Sequence, residues 1–367
     1  MIPFFNYAEL YNQNKSKYLK IIEDVCSRGA FILQSDLEEF EKNSAKFINV
    51  KHFIGVANGT DALWLGLKAA GIKPEDEIII PSHTYIASAA AIHFVGAKPI
   101  LAECSDDNML DVDDIEKRIT KKTRGIMPVQ INGRCCDMEV IEYIAKKNGI
   151  QIFEDSAQAF GSKYNGKHAG TFGLFGTFSF YPAKLLGCFG DGGALATNDD
   201  ELAEKVRLLR DHGRNVSGEV IEWGFNSRLD NLQAAILNYK LKSYEEDIFR
   251  RREIAQMYDD GLRNIDSLDL PPPPSNNSKY FDVYQNYELR AKNRDQLRNY
   301  LKKEGIMTII QWAGSPVHSF KELGFEGLSL PKTDKFFEKC VMLPMNMTLT
   351  NENIYEIISK IKNFYSK

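Results

Sequence analysis

From about residue 54 the chain alternates between two hydrophobic patterns. Short β-rich runs recur: EIII (77–80), KPILAE (98–103), GIMPVQI (125–131), IQIFED (150–155), GTFSFY (176–181) and GALATN (193–198). Between them lie ALWLGLKAAGI, MEVIEYIAKKNGI and ELAEKVRLLRDHG, whose apolar residues return at helical spacing and which carry Gly near their ends. Strands alternating with helices predict right-handed crossovers and a mainly parallel central sheet flanked by helices, the α/β class. Ligands of such sheets sit beyond the carboxyl ends of the strands, so the chemistry is expected on the loops that follow these runs.

Around residue 240 the pattern changes. The charged stretch KLKSYEEDIFRRREIAQMYDDGL predicts one long helix, followed by Pro271 to Pro274 and the polar SNNSK. Four prolines cannot continue a helix and favour a stiff extended connection. Beyond them YQNYELRA reads as a strand, DQLRNYLKKEG as a helix and NENIYEIISKIKNFY as a terminal helix. The expected division is a large domain over 1–244 and a smaller α+β domain over 245–367.

Length and composition narrow the function. At 367 residues, 43% hydrophobic and 26% charged, the chain can bury a deep, dry site and is not disordered. Lys+Arg 46 against Asp+Glu 50 gives a net charge of −4, which argues against a nucleic-acid partner. No apolar run approaches the roughly 20 residues that span a bilayer, so no membrane partner is expected. The opening MIPFFNYAELYNQNKSKYLK puts polar and acidic residues where a signal peptide is apolar, so a cytoplasmic location is expected. The six cysteines are scattered without a CxxC pair, which predicts neither a metal site nor a disulfide framework. Adjacent Cys135 and Cys136 read as reduced core thiols.

Candidate chemistry concentrates in FEDSAQAFGSKYNGKHAGTFGLFGTFSFYPAKLLGCFGDGGALATN (153–198). Asp155 ends an apolar run, at the edge where ligands bind, and Gln158 follows three residues later. Lys184 comes 29 residues after Asp155, one strand further along, in the apolar, glycine-rich SFYPAKLLGCFGDGG. Partial burial there would lower its pKa and supply a neutral amine able to attack a carbonyl. An acid and a lysine on neighbouring strand ends suit pyridoxal phosphate (PLP), which needs a lysine to hold its aldehyde and a carboxylate to keep its ring nitrogen protonated. Asn58-Gly59-Thr60, opening a helix, offers backbone N–H groups to the phosphate, and Ser179 adds a hydroxyl. Alone, that opening is equally an ordinary helix cap.

The ordered set NGTDAL, PSHTYIAS, EDSAQAFG, TFSFYPAK, GDGG and GFNSRLDNLQAA resembles the sugar aminotransferases of the DegT/StrS type, PLP enzymes of the aspartate-aminotransferase fold (fold type I). The resemblance runs from IPFFN to LPMNMTLT. It implies that Lys184 carries the cofactor and then acts as general base, and that Asp155 partners the pyridine nitrogen. It gives Gln158 the ring's phenolic oxygen, Tyr85 the ring face, and Gly59, Thr60 and Ser179 the phosphate. Asn226, in GFNSRLD, matches a residue that reaches the phosphate from a neighbouring subunit, which implies a homodimer with shared sites.

Two departures stand out. The usual His, apolar, aromatic, Gly after the third strand is Gln130-Ile131-Asn132-Gly133 here, and LPMH near the C-terminus is Leu343-Pro344-Met345-Asn346. A carboxamide keeps hydrogen bonding but carries no proton near neutral pH. If Gln130, Asn132 and Asn346 face substrate, they alter sugar recognition. His318, in SPVHSF, is a candidate substrate or phosphate contact. The activity implied is transfer of an amino group from glutamate to a nucleotide-linked keto-deoxy sugar (dTDP or UDP, ketone at C3 or C4), leaving 2-oxoglutarate and an amino sugar for a surface polysaccharide or glycan. The sugar dehydratases of the family replace the lysine by histidine, and a non-catalytic regulator would be expected to lose Asp155 or Lys184. Both residues are present. Cys188 lies four residues past Lys184 and is expected to pack beside its strand rather than act as a mobile nucleophile.

Overall fold

The computed structural model describes residues 1–276 and 278–366; Asn277, in the polar stretch after the prolines, and Lys367 lie outside it. Seven strands form the central sheet: β1 (His52–Val56), β2 (Glu77–Pro81), β3 (Lys98–Ala102), β4 (Thr123–Ile126), β5 (Gln151–Asp155), β6 (Phe175–Ser179) and β7 (Gly193–Thr197), in the order β1-β7-β6-β5-β4-β2-β3. β2 to β6 are mutually parallel, and β7 runs antiparallel to both of its neighbours. The six runs expected from the pattern are all strands, within a few residues at their ends. GIMPVQI is cut short after Ile126, and its remainder keeps only a bridge from Val129 to Asp155. Pro128 lacks the N–H that a central strand needs.

Alternation within each strand sorts the core onto two faces. Ile54, Ile78, Ile80, Phe153, Phe175 and Leu195 pack under the helices Gly59–Ala69, Ile86–Phe94 and Asp200–Arg210. Ile79, Ile126 and Ile152 face the helix Met138–Asn148, and Phe53, Phe178, Ala194 and Ala196 face Ser35–Ile48 and Asn231–Leu241. Caps set the helix ends: the Asn58 side chain accepts from Asp61 N at 2.8 Å and Asp199 from Leu202 N at 2.8 Å. Gly149, at φ +63°, closes Met138–Asn148 in a conformation that an L side chain resists.

The charged stretch near 240 forms the expected long helix over Tyr244–Leu262, and its first two residues instead end the preceding helix, Asn231–Leu241, with a break at Lys242-Ser243. Tyr244 accounts for the break. Its ring is buried and its hydroxyl donates to Phe160 O at 2.6 Å, so the chain turns inward at Lys242-Ser243. A second core gathers Ile254, Tyr258, Leu262, Tyr287, Leu289, Leu297, Leu301, Val341, Leu343, Ile354, Ile357 and Ile361 around three antiparallel strands: β8 (Leu268–Asp269), β9 (Tyr287–Ala291) and β10 (Cys340–Leu343). Ile2 belongs to this core, because the chain start bridges to Ile306. Val317 and Leu330 return to the core of the large sheet. Among the described residues no helix is long and apolar enough to cross a membrane.

Candidate active site

The carboxyl ends of β1, β5 and β6 converge on one place. Asp155 is the last residue of β5 and is buried; its Oδ2 accepts from Ser88 Oγ at 2.7 Å and its Oδ1 from Ala157 N at 3.1 Å. Burial pushes its pKa up, while those two donors and the nearby Lys184 charge pull it back. Lys184 lies in the loop from β6 to β7, where its own N–H closes a turn onto Tyr181 O at 2.8 Å. Desolvation brings its ammonium down to about 8 against the opposing pull of Asp155. A lowered pKa favours the neutral amine, the form able to act as a nucleophile.

The residues expected to hold phosphate lie close together. Gly59 opens its helix beside Ser179, so a Cβ at 59 would come within 2.9 Å of the Ser179 Cβ. Gly193, the first residue of β7, approaches the Asn58 carbonyl so closely that a Cβ would lie 2.3 Å from its carbon. Backbone amides at a helix start, a hydroxyl and a wall of glycines make an anion cradle. The residues therefore fit PLP: a cradle that side chains would fill, a half-buried lysine with a lowered pKa, and a buried carboxylate close enough to influence it.

Gln158 is fixed by an unexpected partner. Its Oε1 accepts from the Asn132 backbone N–H at 2.7 Å. Asn132 adopts φ +56°, and its side chain turns away into a buried polar cluster. There Asn132 Nδ2 donates to Glu288 Oε2 at 2.6 Å, and Asn286 Nδ2 donates to Asn132 Oδ1 at 2.9 Å. The Gln311 amide, oriented by these acceptors, donates to Glu288 Oε1 at 3.2 Å. Burial lifts Glu288 to about 7 and drops His83 to about 4, with His83 Nε2 3.7 Å from the carboxylate. Asn132 is thus a support for Gln158 rather than a group free for substrate.

Three further substrate assignments change. Gln130 is fully buried; its Nε2 donates to Glu154 at 2.8 Å and its Oε1 accepts from Cys136 N at 2.7 Å, so no polar atom is left for a sugar. His318 is buried too, with Nδ1 on Ser82 Oγ at 2.7 Å and Nε2 on Asp334 at 2.9 Å. It stitches the segment after Pro316 to the end of β2. Asn346 ties the chain start through Phe4 O at 3.0 Å. Cys188 is buried with its thiol on Phe180 O at 3.0 Å and its pKa raised to about 12, so it packs as expected.

Tyr85 is 56% exposed at the start of the helix Ile86–Phe94, 6.5 Å from Trp312. It is not a core aromatic. Asn226 is exposed and bridged to Asp211, and the next residue, Ser227, accepts from Ala57 N at 3.3 Å at the carboxyl end of β1. Ser88, in the first turn of the helix Ile86–Phe94, adds a donor to Asp155 that the motifs do not mark. Glu288, Gln285 and Trp312 carried no local signal.

The profile of the DegT/DnrJ/EryC1/StrS aminotransferase family matches residues 12–362. A "Pleiotropic regulatory protein" of Geobacillus stearothermophilus is 38% identical over 99% of this chain and 98% of its own length. A "UDP-2-acetamido-2-deoxy-3-oxo-D-glucuronate aminotransferase" of Pseudomonas aeruginosa is 37% identical over 99% of this chain and 100% of its own. The fold superposes on the crystal structure of Streptomyces venezuelae DesV in complex with a ketimine intermediate at a TM-score of 0.95, with 36% identity, 100% of this chain and 99% of that one covered. With the lysine, the acid and the cradle on neighbouring strand ends, this chain belongs to the DegT/DnrJ/EryC1/StrS aminotransferase family.

Proposed function

We propose that the protein is a PLP-dependent aminotransferase that moves an amino group from glutamate to a nucleotide-linked keto-deoxy sugar. The observation that carries this reading is the Lys184 amine, brought down to about 8 beside a buried Asp155 at one strand edge. When bound, PLP supplies an electron sink for breaking a Cα–H bond. Lys184 would hold the cofactor through Nζ, and the same amine could move a proton. Asp155, held in place by Ser88, would balance the charge of the ring nitrogen. Gln158, fixed by Asn132, would serve the phenolic oxygen, Tyr85 the ring face, and Gly59, Thr60 and Ser179 the phosphate.

A ketone at C3 is the form named for the Pseudomonas aeruginosa relative, so 3-keto sugars are the first substrates to test. The regulatory name of the Geobacillus stearothermophilus relative is set against the presence here of both Asp155 and Lys184, at least one of which a non-catalytic relative would be expected to lose. The working unit is a homodimer. The exposed loop that ends in Asn226 carries Val216, Val220, Ile221 and Trp223, the last 90% exposed, an apolar surface that a second copy would cover. Asn226 would then reach the partner's phosphate.

The test incubates purified enzyme with glutamate and a panel of dTDP- and UDP-linked 3-keto and 4-keto sugars, with product NMR to locate the new amine. Borohydride reduction followed by peptide mapping should tag Lys184. A tag elsewhere, or no amino sugar from any member of the panel, sinks the reading.

A further inference from the structure

We propose that Gln285 is the residue that positions Lys184, by a two-bond carboxamide clamp delivered from the C-terminal part of the chain; the inference rests on the reading of Lys184 as the cofactor's lysine. The loop between β6 and β7 has no regular secondary structure to hold it, yet a lysine that must meet one aldehyde carbon needs a fixed backbone. Gln285 provides it. Its Oε1 accepts from Leu185 N at 2.7 Å and its Nε2 donates to Ala183 O at 2.8 Å. The two contacts flank residue 184 on either side. A carboxamide presents a carbonyl and an N–H side by side, as a peptide unit in an adjacent strand would, so one side chain substitutes for a missing ladder. Lys184 N–H is already spent on Tyr181 O, so its amine is the one group in this turn left to move.

The clamp itself is anchored on both sides. Gln285 is buried, and its carbonyl accepts from Arg251 Nη1 at 2.9 Å, the same nitrogen that reaches Tyr284 O at 3.0 Å. Arg251 belongs to the helix Tyr244–Leu262 that joins the two cores. On the other side Val283 N donates to Gly133 O at 2.9 Å. Gly133, at φ +86°, comes so near that a Cβ there would lie 2.8 Å from the backbone nitrogens of both Tyr284 and Gln285. The corner at 283–286 is therefore wedged between the large sheet and the connecting helix, and Gln285 transmits that placement to the lysine. The same corner holds Asn286, which braces Asn132 and hence Gln158. Asparagine is one methylene too short to span both contacts, and glutamate sets an acceptor against Ala183 O.

The experiment compares the wild-type full chain with Gln285→Met, which keeps the volume and loses both bonds, and with Gln285→Glu, which keeps the bond from Leu185 N and loses the donor to Ala183 O. Hydrogen exchange of the Leu185 amide and the pH dependence of Lys184 acylation by acetic anhydride are read on cofactor-free protein. Kinetics are read on the loaded enzyme. For Gln285→Met we expect Leu185 exchange at least tenfold faster, an acylation midpoint displaced upward from near 8, and kcat at least tenfold lower at an unchanged KM for the amino donor. Gln285→Glu should give the same directions with a smaller rise in Leu185 exchange, and it carries the test if the methionine variant does not fold. Unchanged Leu185 protection and an unchanged acylation profile in a folded variant would overturn the clamp while borohydride still tags Lys184 in the wild type. A wild type that takes no tag at Lys184 overturns the functional reading instead.

Discussion

The carboxyl edge of the central sheet and the buried cluster around Glu288 lie on either side of Gln158, and both are rich in polar groups. At the sheet edge those groups keep capacity in reserve: among the described residues Lys184 feels the charge of Asp155 without a close ion pair, and Asp155 has one hydroxyl and one amide. In the cluster, Asn132, Asn286, Gln311 and Glu288 satisfy one another. Neighbouring acids on β5 show the same contrast on a smaller scale. Glu154, on the opposite face of the strand, accepts from Gln130, Gly170, Phe172 and Gly173, and it is fixed by the fold. Asp155 points to the site. Polar groups that are fully spent build the scaffold, whereas those left partly unspent are available for chemistry.

Substitutions on the two sides should therefore differ in kind. Lys184→Ala should lower kcat by at least about 10²-fold, the scale of a lost acid–base group, with the thermal midpoint of the cofactor-free protein nearly unchanged. A collapse in stability instead would place the lysine with the scaffold. Asp155→Asn removes a charge but keeps the shape, and a loss of about 10²-fold in kcat with weakened cofactor retention is expected, read by absorbance after gel filtration. Full activity in this variant would break the contrast with Glu154.

On the scaffold side the readout is stability against pH. Glu288 is held protonated up to about 7 in the fold but ionises near 4.5 when free, so the folded state binds the extra proton between those values. Its contribution is full below pH 4.5 and is lost as pH rises to about 7, at roughly 1.4 kcal/mol per unit. Glu288→Gln should flatten the fall in thermal midpoint over that window, and identical curves would show that the carboxyl is ionised in the native state. The smallest effect is expected from His318→Asn. Loss of the bond to Asp334 should lower stability by about 1 kcal/mol in thermal melts and leave kcat unchanged. A tenfold fall in kcat would return His318 to the active site.

Much of the site was legible because PLP chemistry demands particular residue types at particular strand ends. The runs around IQIFED and GTFSFY were set by period and composition, and Asp155, Ser179 and Lys184 followed from their places at the ends of those runs. The antiparallel β7 was not legible, since a strand's direction is fixed by its partners. Nor was the break at Lys242-Ser243, which depends on the buried Tyr244 reaching Phe160, 84 residues away in the chain. The 1–244 and 245–367 division remains a proposal; Ile2 joins the C-terminal core, while Val317 and Leu330 join the sheet's.

Sequence alone pointed to six of the seven strands of the central sheet, to the helix that opens at Gly59 and to an acid and an amine as candidates, because each of these rests on a local period, a cap or a required functional group. Tertiary structure decided which carboxamides face inward. Gln130, Asn132 and Gln285 are chemically alike, and what each one does depends on the donors and acceptors that distant segments bring to it. Gln130 meets Glu154, Asn132 meets Glu288 and Gln285 meets the loop of Lys184. Hydrogen bonds between residues 24, 156 and 100 positions apart leave no periodic trace in the chain, so only the folded arrangement could separate support from chemistry.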